Sequence, residues 1–242
     1  MSDLVLSLFP GIGLLDRAFE DEGFTVVRGP DLLWGGDIKR FRPPAGVFDG
    51  IIGGPPCQAH SRLAPVILAN GYELAEDLIP EFTRVVLEAA PQWYLMENVE
   101  RAPVGAVEGY EVDAPLYDNR WIGGEQSRRH RFSFGTRDGR RLRLEQTAMY
   151  NPAWSPRVCA RGYLAGGTQK KRHRRDGSRW EIRNSPGRSK AAVEEAKRLQ
   201  GIPPDWHLPG FTVAATMAAI GNAVPYPMGR ALARGVRRAL AE

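Results

Sequence analysis

Short apolar runs that break on glycine or proline, each followed by residues at helical spacing, restrict this chain to one fold class. Leu4–Phe9 reads as a buried strand that breaks at Pro10-Gly11-Ile12-Gly13, after which Leu14, Leu15, Ala18 and Phe19 keep helical spacing up to Gly23. Phe24–Val27 reads as a second strand and Val47–Ile52 as a third, ending at Gly53-Gly54-Pro55-Pro56. Leu78, Ile79, Phe82, Val85, Val86 and Ala89 form one helix face, stopped by Pro91; Trp93–Met96 follows as a strand that delivers Glu97-Asn98-Val99 at its end. Strands alternating with helices predict an open, mostly parallel α/β sheet, and such sheets bind ligands beyond the carboxyl ends of their strands. The Gly11-Gly13 turn, Cys57 and Glu97 all fall at strand ends, so one crevice can gather them.

The texture changes after about Gly135, where Gly, Arg and polar residues dominate until Ser189. Three parts are expected: residues 1–135 as a catalytic and cofactor-binding domain, 136–188 as a small irregular region, and 189–242 as a segment returning to the first. In the last part Ser189 is placed to cap a helix carrying Val193, Ala196 and Leu199, which Gly201 ends. An amphipathic helix from Met228 through Leu240 closes the chain. The 242 residues suit one domain with a small appendage. No apolar run approaches the roughly 20 residues that cross a bilayer, and the start of the chain lacks a basic leader, so an intracellular, cytoplasmic protein without a membrane is expected.

From Arg157 to Lys190 eleven basic residues face only Asp176 and Glu181, which leaves the rest of the chain net acidic although the total is +5. Trp154, Tyr163 and Trp180 interleave with them, a pattern that points to nucleic acid, whose phosphates give up counterions to Lys and Arg. A solvated basic loop is the plainer alternative. Two cysteines cannot make a disulfide framework, and neither they nor the scattered His60, His130, His173 and His207 have metal-site spacing, so no metal is expected.

Two turns carry the chemistry. In Phe9-Pro10-Gly11-Ile12-Gly13 the missing Cβ atoms allow a tight turn and close backbone approach to a nucleotide-like ligand; Asp31 could accept from ribose hydroxyls, and Asp37-Ile38 could meet an adenine. Gly53-Gly54-Pro55-Pro56-Cys57-Gln58 is more specific, because two glycines and two prolines fix a thiol on a stiff turn at the sheet's edge. A buried structural cysteine usually sits among apolar neighbours instead, so Cys57 is a candidate nucleophile. Cys159, in a polar loop, needs no role.

The Pro-Pro-Cys-Gln turn, Glu97-Asn98-Val99 and the Phe9–Gly13 turn, in this order, resemble the DNA (cytosine-5) methyltransferases, here a compact phage-type or orphan member. Ala191–Trp206 resembles the family's helix after its target-recognition region, and Ile220-Gly221-Asn222-Ala223-Val224-Pro225 its last signature. The resemblance implies a Rossmann-like S-adenosylmethionine-dependent methyltransferase sheet, with residues 136–188 as target-recognition region. S-adenosylmethionine would contact Phe9, Gly11, Gly13, Asp31, Asp37, Ile38, Asn222 and Ala223. The substrate would be duplex DNA, from which the target cytosine is flipped because stacking hides its reactive atoms. Cys57 would add to C6, Glu97 would hydrogen-bond or protonate N3, and Arg128 would hold the site and the base. The family's Gln-x-Arg-x-Arg appears as Gln126-Ser127-Arg128-Arg129-His130-Arg131-Phe132. Counted from Gln126, the second arginine is His130; slipped one residue onto the aromatic, Arg129 and Arg131 serve. Gln126 and Arg131 are thus candidate nucleic-acid contacts, as are Lys170, Lys171, Arg172, Arg174 and Arg175 through phosphates. Leu14 stands where the family often has glycine, Pro10 where a small residue is usual, and the acidic ribose ligand is displaced to Asp31. The resemblance also implies a monomer, in a bacterial or phage-infected cell, serving restriction-modification or protecting a phage genome. A structured RNA substrate, or a degenerate methylase kept for DNA binding, are the competing readings; intact Cys57 and Glu97 argue against the latter.

Overall fold

The computed structural model describes residues 3–60, 68–69, 71, 73–74, 76–147, 157–159, 162–164, 170–173, 179–182, 190–208 and 210–242. In chain order the elements are β1 (Leu4–Leu8), α1 (Leu14–Glu20), β2 (Thr25–Arg28), β3 (Gly50–Gly53), α2 (Ile79–Ala89) and β4 (Trp93–Val99), then β5 (Glu111–Asp113), β6 (Leu116–Asp118) and β7 (Arg129–Thr136). Two hairpins, β8 (Arg157–Cys159) with β9 (Gly162–Leu164) and β10 (Lys170–His173) with β11 (Arg179–Ile182), precede α3 (Lys190–Gln200), α4 (Val213–Asn222) and α5 (Tyr226–Ala241).

The main sheet runs β2-β1-β3-β4-β7-β5, with β6 also on β7. The first four strands are parallel, as the alternating pattern predicts, while β7, β5 and β6 join antiparallel. Side chains alternate across it. Val5, Ile52, Trp93, Leu95, Phe132 and Phe134 face α1 and α5, whose Leu15, Phe19, Leu232 and Val236 complete one core. Leu6, Leu8, Ile51, Tyr94 and Met96 face α2, which supplies Phe82, Val85 and Val86. Both faces are covered, so the strands read as continuous apolar runs. A third cluster joins Ile12 and Leu14 to α3, α4 and Val158 of β8. Among the described residues no helix is long and apolar enough to cross a membrane.

Two expected boundaries move. The third strand begins at Gly50 rather than Val47, because Asp49 turns out of line: its carboxylate accepts from Leu4 N (2.8 Å) and its carbonyl from Gln92 N (2.9 Å). The first unit does not end at Gly135. Leu142 and Leu144 are buried in the α5 face, and Tyr117 Oη donates to Leu142 O (3.0 Å), so the main body extends through Leu144. The proposed helix cap Ser189 lies outside the described residues, whereas Gly201 follows α3 with φ +64° as expected.

One charge is buried under the first turn. Asp16, in the opening turn of α1, is fully buried, accepts from Ser7 Oγ (2.5 Å) and pairs with Arg28 Nε (3.0 Å). Burial pushes its carboxyl up to about 6, against the pull of Ser7 and Arg28. A raised native pKa means that the folded state binds the proton more tightly. The resulting stability is complete below the unfolded value near 3.8 and is lost as pH rises through about 6. Urea unfolding at pH 4.5 and pH 7.5 should therefore show less loss of stability on raising pH in Asp16→Asn than in the parent, by about 2 kcal/mol at about 1.4 kcal/mol per pKa unit; equal losses in both would remove Asp16 as the cause.

Candidate active site

The nucleophile candidate and its carboxylate come from neighbouring strands. β3 and β4 are parallel partners with Gly53 opposite Met96, so the turn leaving β3 passes over the end of β4. Asn98 Nδ2 donates to Pro55 O (3.3 Å) and holds the turn down. Gly54 sits on Glu97: a Cβ there would lie 2.9 Å from Glu97 Oε2, so any larger residue would have to displace the carboxylate. Cys57 follows as a half-buried free thiol, and His60 N donates to its carbonyl (3.1 Å). His60 Nε2 in turn meets Asp77 Oδ2 at 3.0 Å.

Glu97 is a buried carboxylate flanked by two basic side chains. Its Oε1 pairs with His130 Nδ1, and Arg128 acts on it electrostatically. Burial by itself would push the carboxyl up, but His130 and then Arg128 outweigh it and hold Glu97 below the usual glutamate range. The Cys57 thiol is pushed up by burial and by the Glu97 charge, with Arg128 opposing. Thiol, carboxylate and guanidinium therefore share one electrostatic neighbourhood, as the strand-end argument requires.

The ladder between β4 and β7 resolves the two registers of the Gln126–Phe132 stretch. Val99 lies opposite His130, Asn98 opposite Arg131 and Glu97 opposite Phe132. Period-two alternation puts Arg128, His130 and Phe132 on the Glu97 face and Arg129 and Arg131 on the other. Arg131 instead donates from Nη2 to Glu100 O (2.9 Å), and Arg129 pairs with the Glu100 carboxylate. His130 is thus the residue beside Glu97, and Arg131 does not reach that site. Gln126 is a second correction. It is fully buried, and its Nε2 donates to Leu199 O (3.0 Å) and Gln200 Oε1 (2.8 Å), so it cannot meet a nucleic acid. Gln200 Nε2 continues to Ile220 O (2.6 Å), and Arg128 Nη1 donates to Gly221 O (2.8 Å). These bonds fasten α3 and α4 to the start of β7.

The cofactor candidates form a second group at the end of β1. Phe9 (φ +54°), Gly11 (φ +53°) and Gly13 (φ +72°) all have left-handed backbone. A Cβ on Gly11 would meet nothing within 4 Å, whereas one on Gly13 would strike Arg28 Nη2 at 2.5 Å. The first glycine is therefore open to a ligand, and the second accommodates the arginine beneath it. Asp31 Oδ2 accepts from Gly11 N (2.8 Å), its Oδ1 accepts from Leu33 N (2.7 Å), and Trp34 Nε1 donates to Gly11 O (2.6 Å). Asp37 caps its own turn through Lys39 N (3.0 Å). Ile38 turns its side chain into the α2-side core at 4% exposure, so that side chain supports the crevice floor and is not a ligand surface. Asn222 ends α4 and is exposed, and Ala223 packs with Ile12 and Leu14, which brings the last signature to the first turn.

Lys170, Lys171 and Arg172 lie on β10, paired with β11; their side chains, and Arg174 and Arg175 entirely, lie outside the described residues. Among the described residues no His, Cys, Asp and Glu cluster could hold a metal. Sequence reasoning missed Asn119, whose buried amide lines the same small cavity as Glu97, Arg128 and His130, beneath Val224, Pro225 and Met228. Its place one step beyond β6, opposite Arg128, is visible only once the ladder is known.

The family model described as C-5 cytosine-specific DNA methylase matches residues 35–103. Type II methyltransferase M.HgiGI of Herpetosiphon aurantiacus is 40% identical over 123 residues, 42% of this chain and 94% of that protein. M.NgoPII of Neisseria gonorrhoeae is 28% identical over 165 residues, covering 55% of this chain and 48% of that protein. With 52% of M.HgiDI from Herpetosiphon aurantiacus also covered, the chain spans about half the length of these two curated relatives. Among solved structures, a putative DNA modification methyltransferase encoded within an E. coli prophage superposes with TM-score 0.60 at 18% identity, over 99% of both chains. Spodoptera frugiperda DNMT2 does so with TM-score 0.63 at 14% identity, over 98% of this chain and 100% of that one. The fold is therefore the Rossmann-like methyltransferase sheet.

The electrostatic coupling of Cys57 and Glu97 gives a direct measurement. The pH dependence of Cys57 alkylation by iodoacetamide, corrected with Cys57→Ser for the second cysteine, should move to lower pH in Glu97→Gln, because a negative charge that raises the thiol pKa is gone. An unmoved or upward-shifted profile would mean that the two groups do not act on one another.

Proposed function

The chain belongs to the C-5 cytosine-specific DNA methylase family, and we propose that it transfers a methyl group from S-adenosylmethionine to C5 of a flipped-out cytosine in duplex DNA. One observation carries this reading: a half-buried thiol on a rigid turn shares its surroundings with an ionised, buried carboxylate and a guanidinium. C5 of cytosine is a poor nucleophile. A thiolate adding to C6 makes it carbanion-like, provided that a partner takes up charge at N3. Cys57 suits the first task and Glu97 the second, and neither side chain can do the other's. Arg128, tied to Gly221, favours the Cys57 thiolate and would hold the base. When C5 loses its proton, the C5–C6 double bond re-forms and Cys57 leaves with its electron pair.

The first turn suits the cofactor. Open space over Gly11 lets a ligand approach the ordered Phe9–Gly13 turn closely, and Asp31 sets a partly exposed carboxylate beside it. Phe9, Gly11, Gly13, Asp31, Asp37, Asn222 and Ala223 would hold S-adenosylmethionine. When bound, it supplies an electrophilic methyl group on a positively charged sulfur. The protein's part is to keep that group beside the base and to exclude water.

We assign target recognition to the segment after Leu144, up to α3. Its basic block, Lys170 to Arg175, would grip phosphates, which position the protein without reading sequence. Cytoplasmic action as a monomer, in restriction-modification or on a phage genome, follows from the same reading.

Duplex DNA carrying 5-fluorocytosine at the target tests the chemistry, because fluorine cannot leave as a proton does. With S-adenosylmethionine a covalent complex should form, and Cys57→Ala should abolish it and lower methyl transfer by at least about 1,000-fold, since the nucleophilic route is lost. Full activity in Cys57→Ala, or methylation of structured RNA but not duplex DNA, would overturn the assignment. Replacing Lys170, Lys171, Arg172, Arg174 and Arg175 by Gln should weaken DNA binding and flatten the dependence of log K on log salt, by about 0.9 for each phosphate that is no longer neutralised. An unchanged slope would move the phosphate grip elsewhere.

A further inference from the structure

We propose that His130 works as an imidazolium which, through Glu97, supplies the proton taken up at N3 of the target cytosine, making it a positioning residue that acts through the carboxylate. The inference rests on the methyltransferase function proposed for this site. It starts from a part-buried contact between His130 Nδ1 and Glu97 Oε1, with the two side chains 15% and 10% exposed.

Proton supply is otherwise missing at this carboxylate. Glu97 is held below the ordinary glutamate range, so near neutral pH it is ionised and has no proton to give. Arg128, the other cation acting on it, keeps its proton at all working pH values. The remaining groups that face His130 are few. Tyr117, its partner on β6, donates its hydroxyl to Leu142 O, and burial raises its pKa; Cys57 approaches from the β3 turn; the start of α5 brings only Val224, Pro225 and Met228. Among the described residues, His130 is thus the side chain in contact with Glu97 that can both hold a proton and give it up.

The protons balance through the cycle. The Cys57 thiol gives its proton to solvent, and as Sγ bonds to C6 the C5–C6 π electrons move toward C5 and the N3 side of the ring. Glu97 gives N3 a proton drawn from His130 Nδ1, leaving imidazole neutral. Once C5 has bonded to the methyl group and lost its own proton to solvent, the C5–C6 double bond re-forms, Sγ departs with its electron pair, and the N3 proton returns through Glu97 to His130.

Single-turnover methyl transfer, at saturating DNA and S-adenosylmethionine across pH 5.5–9.5, tests the idea. The parent should show an alkaline limb that falls toward tenfold per pH unit. His130→Arg, whose charge is permanent, should lack that limb whatever its absolute rate. His130→Gln should be slower at neutral pH by about 100-fold, in the usual range for a lost proton-transfer partner. The same alkaline limb in His130→Arg would overturn the proposal. A measurement on the unaltered protein guards against misfolded variants: histidine-selective ¹³C NMR of the DNA complex should show His130 losing its proton along the alkaline limb, and loss at a clearly different pH would also overturn it. Failure of the parent to form the 5-fluorocytosine complex would strike the methyltransferase reading instead, so the two failures are separable.

Discussion

A carboxylate buried among strands is expensive unless it is paired, and removing one partner of such a pair typically costs about 3–5 kcal/mol. Glu97 sets that condition for the whole crevice. Its charge is met by His130 and Arg128, both from β7 and its approach, so β7 must lie beside β4 in one register. Arg128 is anchored on Gly221, and Gln126, two residues earlier, on Leu199 and Gln200, so α3 and α4 are tied to the same strand. On the other side Gly54 has room for no side chain, and Asn98 holds Pro55, so the thiol-bearing turn is fitted to the carboxylate as well. The site's rigidity follows from satisfying one charge.

The cofactor side obeys a parallel constraint. Asp16 is buried beneath the first turn, and Arg28 reaches it by passing under Gly13, where a Cβ would collide with the guanidinium. Glycine at 13 is therefore favoured twice over, by the left-handed turn and by the arginine below it. Asp31 and Trp34 then brace Gly11 from outside, which presents that backbone to a ligand already ordered. An ordered loop has less conformational entropy to lose on binding.

Much of this is legible in the chain. Apolar strands ending on Gly-Pro turns place Cys57, Glu97 and the Phe9–Gly13 turn at one edge, since the strands of a parallel sheet end on the same side. What escapes are features that depend on partners distant in sequence. Gln126 looks like a polar surface residue until Leu199 and Gln200, more than seventy residues on, are known to receive its amide. Leu142 and Leu144 sit in an Arg-rich stretch without periodicity, yet α5 covers them, so the body outruns its compositional boundary. Ile38 suggests a ligand surface because a neighbouring acid suggests a nucleoside, and only packing shows it facing the core.

The strand register explains why a histidine, and not one of the surrounding arginines, faces Glu97. An antiparallel strand begins where its parallel neighbours end, so the first residues of β7 stand beside the last residues of β4, although some thirty residues separate them in sequence. Slipping that pairing by one residue would exchange every side chain across the sheet. Arg129 and Arg131 would then meet Glu97, while Phe132 would leave the core it shares with Tyr117, Leu95 and Phe134. Losing a buried aromatic costs roughly 3–5 kcal/mol, more than an exposed and a half-buried arginine gain by changing partners. The apolar core thus dictates which basic residue accompanies the Glu97 carboxylate, and it selects the imidazole over the arginines on either side of it.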